Sequence, residues 1–239
     1  MIPKIIHYCW FGHNDMPQLA KDCVASWHNY MPDWEYKLWN EEVFDIRGIP
    51  YVKEAYDAQM YAFVSDYVRL YALYKEGGVY LDVDFLVYKP FDSLLRWDAF
   101  AGFEGSKHSP LMMGVIASRQ NGVWVKEQLD CYQGRHFVTT DGSFDLTTNV
   151  KYVSDHMSGQ GFVQNGREQD YKDLHVFPVD YFCPRQTTGE YFRTENTYCE
   201  HMGVSSWAEQ NDGWKIRVGK LIGQKNMIQL IKMKRKLFG

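Results

Sequence analysis

The stretch that most constrains the fold of this chain runs from Ala62 to Pro90, AFVSDYVRLYALYKEGGVYLDVDFLVYKP. Apolar residues recur at helical spacing in its first half, and Gly77-Gly78 end that pattern. A short apolar strand follows, and Asp82 and Asp84 stand where it ends, one residue apart. Because a helix, a glycine turn and a buried strand form a rigid scaffold, we expect the two carboxylates to be held at a fixed point.

The segments around this stretch predict an α/β fold. Residues 4–10 and 34–39 are β-branched and aromatic and predict strands, while residues 17–30 carry apolar side chains at helical spacing. Strand, helix and strand in this order form a βαβ unit, which favours a mixed but mainly parallel sheet. Ligands of such sheets bind at the carboxyl ends of the strands, where the two aspartates fall.

The rest of the chain gives weaker patterns. It predicts strands at 85–88, 99–103, 111–117 and 174–178, a helix at 122–132, and loops at 134–149 and 198–207.

Charge is distributed unevenly along the 239 residues. Lysines and arginines after Asp212 contribute a charge of +8. Because the whole chain has a net charge of −4, the residues up to Asp212 together carry −12. This balance argues against nucleic-acid binding by the body of the protein. We expect one catalytic domain at 1–214 and a basic amphipathic helix at 215–239, which either packs on that domain or contacts a membrane surface.

Five scattered cysteines with no C-x-x-C pair indicate neither a disulfide framework nor a zinc site. The sequence also lacks a cleavable signal pattern and a window apolar enough to span a membrane. We therefore expect the protein in the reducing cytoplasm, at the inner face of the cell membrane if the tail binds there.

The D-x-D triplet at Asp82 and Asp84 has two interpretations. A bare triplet of this kind is most often a solvated turn, since it is common by chance. Here apolar residues flank it on both sides, and a buried carboxylate needs a cation or hydrogen bonds to compensate its charge. Projecting the same way from an extended segment, the two carboxylates would suit Mg²⁺ or Mn²⁺. Asp66 and Arg69, three residues apart on one helix face, could add to that compensation or form a surface ion pair.

The block S-D-x-x-R-x-x-x-L-x-x-x-G-G-x-Y-L-D-x-D, from Ser65 to Asp84, resembles glycosyltransferase family 32, the DXD-containing sugar transferases. That family includes fungal mannosyltransferases and bacterial capsule transferases and is distantly similar to the glucosylating domains of clostridial toxins. The opening residues 2–12, IPKIIHYCWFG, are similar to the family's first strand. The resemblance implies a GT-A fold and transfer of a sugar from a nucleotide sugar with retention of configuration, assisted by Mn²⁺ or Mg²⁺.

The resemblance also implies roles for individual side chains. Carried over position by position, they are Trp10 stacking on the nucleotide base, Ser65 near base and ribose, Asp66 and Arg69 on the donor sugar and its phosphates, Tyr80 beside the nucleotide, Asp82 between sugar or ribose and metal, and Asp84 as the direct metal ligand.

A second part of the resemblance lies near the C-terminus, where HMGVSSW is similar to a loop that closes over the diphosphate. The resemblance implies that His201 is a metal ligand there, whereas a lone histidine in a polar loop is more often just exposed. Ser205 stands where the family pattern has glycine, so either Ser205 or Ser206 would contact the diphosphate. Trp207 would stabilise the departing diphosphate through its indole N–H.

The sequence thus predicts a retaining hexosyltransferase that uses a UDP-hexose such as UDP-galactose in preference to GDP-mannose. Its acceptor would be a saccharide of a bacterial surface or capsular polysaccharide, lipid-linked if the tail binds a membrane. Glu104 is a weaker candidate on the acceptor side. Two alternatives stay open: a metal-dependent phosphodiesterase or nucleotidyltransferase, and a non-catalytic nucleotide-sugar-binding protein.

Overall fold

The computed structural model describes residues 1–105, 109–185 and 190–203. Within these ranges the strands are β1 (Ile5–Cys9), β2 (Glu35–Trp39), β3 (Gly78–Leu81), β4 (Phe85–Val87), β5 (Ala99–Phe103), β6 (Leu111–Ser118), β7 (Gln169–Tyr171), β8 (Leu174–Phe177) and β9 (Cys199–His201). The helices are α1 (Gln18–Tyr30), α2 (Pro50–Asp57), α3 (Tyr61–Glu76), α4 (Val123–Asp130) and α5 (Asn149–Ser158).

Seven of these strands form one sheet in the order β2-β1-β3-β6-β5-β8-β7, while β4 and β9 form a separate antiparallel pair. In the large sheet β1, β2, β3, β5 and β8 run in one direction, and β6 and β7 run in the other. The predicted α/β class with a mixed, mainly parallel sheet is therefore confirmed. The chain leaves β1 toward β2 on one side and reaches β3 on the other, so the topological switch point lies between β1 and β3.

Two apolar cores cover the two faces of the sheet. Side chains alternate between them along each strand, as the period of two requires. In β3, for example, Val79 and Leu81 pack in the core beside α1, whereas Tyr80 points into the core formed with α3. Asp82 follows with the same parity as Tyr80, which directs it toward α3.

The Gly77-Gly78 turn is fixed by its close approach to β1. Both glycines have positive φ, +70° and +118°. A Cβ on Gly78 would lie 2.7 Å from the carbonyl oxygen of Ile5. His7 is fully buried, and its Nδ1 accepts the indole N–H of Trp39 at 3.0 Å. The imidazole is therefore neutral with its proton on Nε2, which donates to the Gly77 carbonyl at 2.8 Å. The turn that precedes the aspartates is therefore tied to the neighbouring strand.

The structure differs from the sequence patterns at several places. The region after residue 49 contains α2, which the sequence patterns did not predict; Pro50 stands in its first turn, where proline is favoured. The predicted 134–149 loop agrees with the structure up to its last residue, where α5 begins, a further helix that was not predicted; Thr148 caps it by accepting from the Lys151 N–H. Residues 199–201 form a strand because they pair with β4, which sequence periodicity could not reveal.

The predicted helix at 215–239 lies outside the described residues, as does the 1–214 boundary. Among the helices that the structure describes, none is both long and apolar enough to cross a membrane. All five cysteines are free thiols, and four of them are buried.

Candidate active site

Asp82 lies at the carboxyl end of β3, beside the switch point between β1 and β3. Tyr80, two residues earlier on the same strand face, is 1% exposed and donates its hydroxyl to Oδ1 of Asp82 at 2.7 Å. The Asp82 side chain is 33% exposed, so its carboxylate is open to solvent while the Tyr80 hydroxyl fixes one of its oxygens. Tyr80 thus lies behind Asp82 rather than on the open surface where a nucleotide would pack.

Arg69 connects the helix α3 to this carboxylate. Its Nη1 donates to the Met113 carbonyl at 2.7 Å and to Oδ2 of Asp82 at 3.3 Å. Its Nη2 lies 3.1 Å from Oδ1 of Asp66, and its Nε donates to the Ser65 carbonyl at 3.2 Å. The guanidinium also stacks over the Tyr80 ring at 4.7 Å. Because only 7% of the Arg69 side chain is exposed, its main task in this arrangement is to orient Asp66 and Asp82.

The electrostatics of this cluster are set by burial. Burial raises the pKa of Asp66 to about 6, although the charge of Arg69 and hydrogen bonds from Asn149 oppose the increase. Burial likewise raises the pKa of Asp82, against the opposing charge of Arg69. For Arg69 itself, burial disfavours the charge, but the negative charges around it win and raise its pKa above the ordinary value. A permanently cationic guanidinium therefore stands between two carboxylates that hold protons more readily than usual.

The two aspartates of the D-x-D triplet do not project together from an extended segment, contrary to the prediction. Residues 82–84 form a turn between β3 and β4, in which the Phe85 N–H donates to the Asp82 carbonyl at 3.2 Å. The turn separates the carboxylates: Asp82 faces Arg69, whereas Asp84 faces β9. Asp84 is 8% exposed and lies 3.0 Å from Nε2 of His201.

His201 lies 117 residues after Asp84 in the sequence. It reaches this position because it pairs with Phe85 in the β4–β9 ladder. Burial lowers the pKa of His201, but its hydrogen bond to Asp84 and the nearby charges of Asp82 and Glu104 outweigh this and raise the pKa. A carboxylate oxygen and an imidazole nitrogen side by side are a donor pair that Mn²⁺ accepts.

A divalent cation would therefore find ligands in Asp84 and His201, with Asp82 near enough to interact with both charges. Within the part of the chain that the structure describes, no three His, Cys, Asp or Glu side chains are placed to hold a metal by themselves. Two protein ligands, with phosphate oxygens and water completing the shell, are a common arrangement for Mg²⁺ and Mn²⁺. The residues present thus fit a metal that is bound together with a diphosphate.

Two site residues were missed by sequence reasoning. Gly114, on β6 opposite Asp82, leaves no room for a side chain: a Cβ there would lie 2.9 Å from Oδ2 of Asp82 and 2.6 Å from the Phe85 ring. Asn149, the first residue of α5, is 4% exposed, donates to the Asp66 carbonyl at 3.4 Å and keeps Oδ1 buried without a partner among the described residues. Neither residue belongs to a local motif, so only their position in the fold identifies them.

The other predicted residues occupy the edges of the site. Trp10 follows β1 directly, is partly exposed, and is held by its indole N–H, which donates to the Asn14 carbonyl at 2.5 Å. Ser65 lies on α3 and donates to the Tyr61 carbonyl at 3.2 Å. Their contacts with a base or ribose stay predictions. Ser205, Ser206 and Trp207 lie outside the described residues.

Glu104 follows β5 on the other side of β6 from Asp82. Burial raises its pKa to about 7, with His201 opposing and Asp82 adding to the shift. A carboxyl group with a pKa near neutral is suited to proton transfer.

Comparison with known proteins defines the class first. A glycosyltransferase involved in the glycosylation of the major capsid of PBCV-1 aligns with a TM-score of 0.52 over 90% of this chain and 100% of that one, at 14% identity. The fold is the predicted GT-A type of the glycosyltransferases. Residues 17–101 then match the family model described as "Glycosyltransferase sugar-binding region containing DXD motif". The predicted resemblance to the DXD-containing glycosyltransferases is confirmed over these residues.

Curated proteins are similar in sequence over part of this chain. Inositol phosphoceramide mannosyltransferase 3 of Schizosaccharomyces pombe is 37% identical over 103 residues, which cover 41% of this chain and 29% of the relative. Subversion of eukaryotic traffic protein A of Legionella pneumophila is 31% identical over 182 residues, covering 61% of this chain and 27% of the relative. The similar segment thus spans less than a third of either relative.

Proposed function

We propose that this protein is a metal-dependent, retaining glycosyltransferase that moves a hexose from a nucleotide sugar to a saccharide acceptor. The observation that carries the proposal is the Asp66–Arg69–Asp82 cluster at the carboxyl end of β3, where ligands of α/β sheets bind. The buried guanidinium of Arg69 holds the carboxylates of Asp66 and Asp82 in place, and that of Asp82 is open to solvent. Such carboxylates accept hydrogen bonds from sugar hydroxyls with fixed geometry.

The roles of the individual residues follow from their exposure. Asp82 is open enough to contact the donor sugar or ribose, and Arg69 and Tyr80 fix its orientation. Asp84 and His201 would hold a divalent cation, which when bound offsets negative charge on the diphosphate leaving group. The predicted roles of Ser205, Ser206 and Trp207 at that diphosphate remain part of the proposal.

We propose that the configuration at the anomeric carbon of the sugar is retained. We expect a displacement on the same face of the sugar, in which the leaving phosphate helps to deprotonate the acceptor hydroxyl. Glu104, with a pKa of about 7, is the group that we place beside the acceptor to receive its hydrogen bond. A phosphodiesterase with two metal ions would need more carboxylates than the described part of the site brings together.

The donor is a hexose linked to a nucleoside diphosphate. UDP-galactose is the donor that the sequence favoured, whereas the mannosyltransferase names of the relatives favour GDP-mannose. The lipid inositol phosphoceramide in those names also supports a glycolipid or lipid-linked acceptor, which residues 215–239 would approach from the membrane surface. Synthesis of surface polysaccharide is the process in which we expect this reaction.

The test is a donor assay on the full chain. Wild-type protein with Mn²⁺ is incubated with UDP-galactose, UDP-glucose and GDP-mannose, and release of the nucleoside diphosphate is measured with and without simple saccharide acceptors. The Asp84→Ala variant is expected to lose most of the activity, while Asp155→Ala, which removes an exposed carboxylate of α5, keeps it. Turnover of no donor, or an unchanged rate in Asp84→Ala, would refute the proposal.

A further inference from the structure

One carboxylate of α2 holds the start of the loop that precedes α5. Glu54 lies on α2, and its Oε2 accepts the backbone N–H groups of Phe137 at 2.8 Å and of Val138 at 3.0 Å. Nδ1 of His136 lies 2.7 Å from Oε1 of the same carboxylate. Both oxygens of Glu54 are therefore bound to one short segment, 82 to 84 residues further along the chain.

These contacts stabilise the charged form of Glu54. Burial acts to raise its pKa, but hydrogen bonds from Val138, His136 and Phe137 outweigh it, so the pKa lies below the ordinary value of 4.5. The carboxylate is thus charged at neutral pH. Because two of its partners are backbone N–H groups, it fixes the path of the chain itself.

Hydrogen bonds connect this anchored start to the far end of the loop. The Asp145 N–H donates to the Phe137 carbonyl at 2.8 Å, and Oδ1 of Asp145 accepts the Thr147 N–H at 3.0 Å. The helix α5 then begins at Asn149. Residues 136–149 are therefore tied together along their length, and we call them the anchored segment.

The anchored segment contacts α3 beside Asp66. Phe137 is fully buried between α2 and α3, with its ring 5.7 Å from that of Tyr51 and 5.0 Å from that of Phe63. Phe63 precedes Asp66 by three residues. At the other end of the segment, Nδ2 of Asn149 donates to the Asp66 carbonyl at 3.4 Å, and hydrogen bonds from Asn149 favour the charged form of the Asp66 carboxyl. Both ends of the anchored segment thus contact α3 within one helical turn of Asp66.

We propose that Glu54 is a positioning residue of the donor-sugar site, which fixes the anchored segment and thereby holds Asn149 against Asp66. This inference rests on the proposed function, in which Asp66 contacts the donor sugar. A carboxylate displaced by about 1 Å can slow the chemical step about 100-fold, whereas contacts with the rest of the donor are kept. Loss of Glu54 should therefore lower kcat far more than it raises the KM of the donor.

The experiment compares wild type, Glu54→Ala and Glu54→Gln with UDP-galactose, UDP-glucose and GDP-mannose in the presence of Mn²⁺, at a temperature where circular dichroism shows all of them folded. In Glu54→Gln the amide oxygen can accept from Phe137 and Val138, and the NH₂ group can donate to Nδ1 of His136. We expect kcat to fall at least about tenfold in Glu54→Ala, with KM changed less than about threefold, and to stay within about threefold of wild type in Glu54→Gln.

Asp130→Ala is the matched control, because Asp130 is a helical carboxylate that pairs with Lys126 and is 43% exposed. It should keep the kcat of wild type. Hydrogen exchange gives a readout that does not depend on activity: backbone amides of residues 136–149 should exchange at least about tenfold faster in Glu54→Ala than in wild type or Asp130→Ala.

A double-mutant cycle with Asn149→Ala separates positioning from a general loss of stability. If Glu54 acts through Asn149, the double variant should have the kcat of Asn149→Ala alone, within about twofold, because the contact is already lost. Two single losses that multiply would overturn the proposal.

The remaining outcomes separate this inference from the proposed function. Wild-type kcat or unchanged hydrogen exchange in Glu54→Ala, an equal loss in Asp130→Ala, or no rescue by Glu54→Gln would overturn the role of Glu54 while the proposed function stands. If wild type turns over none of the three donors, the proposed function fails and the role of Glu54 in it fails as well.

Discussion

Replacing Arg69 by methionine tests whether the cluster at the end of β3 is held by one buried cation. Methionine fills similar space without a charge, so the substitution removes the contacts to Asp66, Asp82 and the Met113 carbonyl while it disturbs packing little. The free energy of unfolding of the variant, from urea denaturation, is compared with that of wild type at pH 5 and pH 7.5.

The size of the loss follows from burial. Removing one partner of a buried ion pair costs about 3–5 kcal/mol, because a charge stays behind without compensation. Asp66 is 13% exposed and contributes fully, whereas Asp82 is 33% exposed and is partly screened by water. We therefore expect a loss of about 3 kcal/mol at pH 7.5.

The loss should depend on pH with a defined sign. Asp66 has a pKa of about 6 in the folded protein against an ordinary value of 3.8, and removal of Arg69 raises it further. Between these values the folded variant binds a proton that the unfolded chain has released, so its stability falls as pH rises. At pH 5 the carboxyl is neutral, and only the lost hydrogen bonds remain, about 1–2 kcal/mol.

Lys151→Met provides the control, since it removes one charge of an exposed pair with Asp155 and should cost no more than about 0.5 kcal/mol at either pH. A loss in Arg69→Met below about 1 kcal/mol, or one of equal size at both pH values, would refute the reasoning about the buried cluster.

Two further substitutions probe the site. Glu104→Gln should stabilise the protein by about 2 kcal/mol at pH 8 and have no effect at pH 4. The reason is that burial raises the pKa of Glu104 from 4.5 to about 7, so the desolvated charge costs stability as pH rises through that window. Equal shifts of the melting temperature at both pH values would contradict this. Gly114→Ala should cost about 1–3 kcal/mol and abolish donor hydrolysis, because the new methyl group displaces Asp82 and Phe85. Wild-type stability and turnover in that variant would show that the close packing at Gly114 is not required.

Local chemistry made much of the fold predictable. The helical spacing before Gly77 and the apolar run after it are strong local signals, and the structure places α3 and β3 on these two segments. The predicted neighbours Asp66 and Arg69 lie 3.1 Å apart, because residues three apart on a helix share a face. The helices α2 and α5 were not predicted. Proline stands in the first turn of α2 and threonine caps α5, and both residues are as typical of loops as of helix starts.

The sequence by itself determined the class of the chain, the strand end that carries Asp82, and the helix face that carries Asp66 and Arg69, because each depends on residues close to one another along the chain. Only the tertiary structure decided that residues 82–84 turn, that His201 comes to Asp84, and that Gly114 and Asn149 enclose the cluster. These contacts join strands and helices far apart in sequence, and sheet pairing across such distances leaves no periodic signal in the residues that make it.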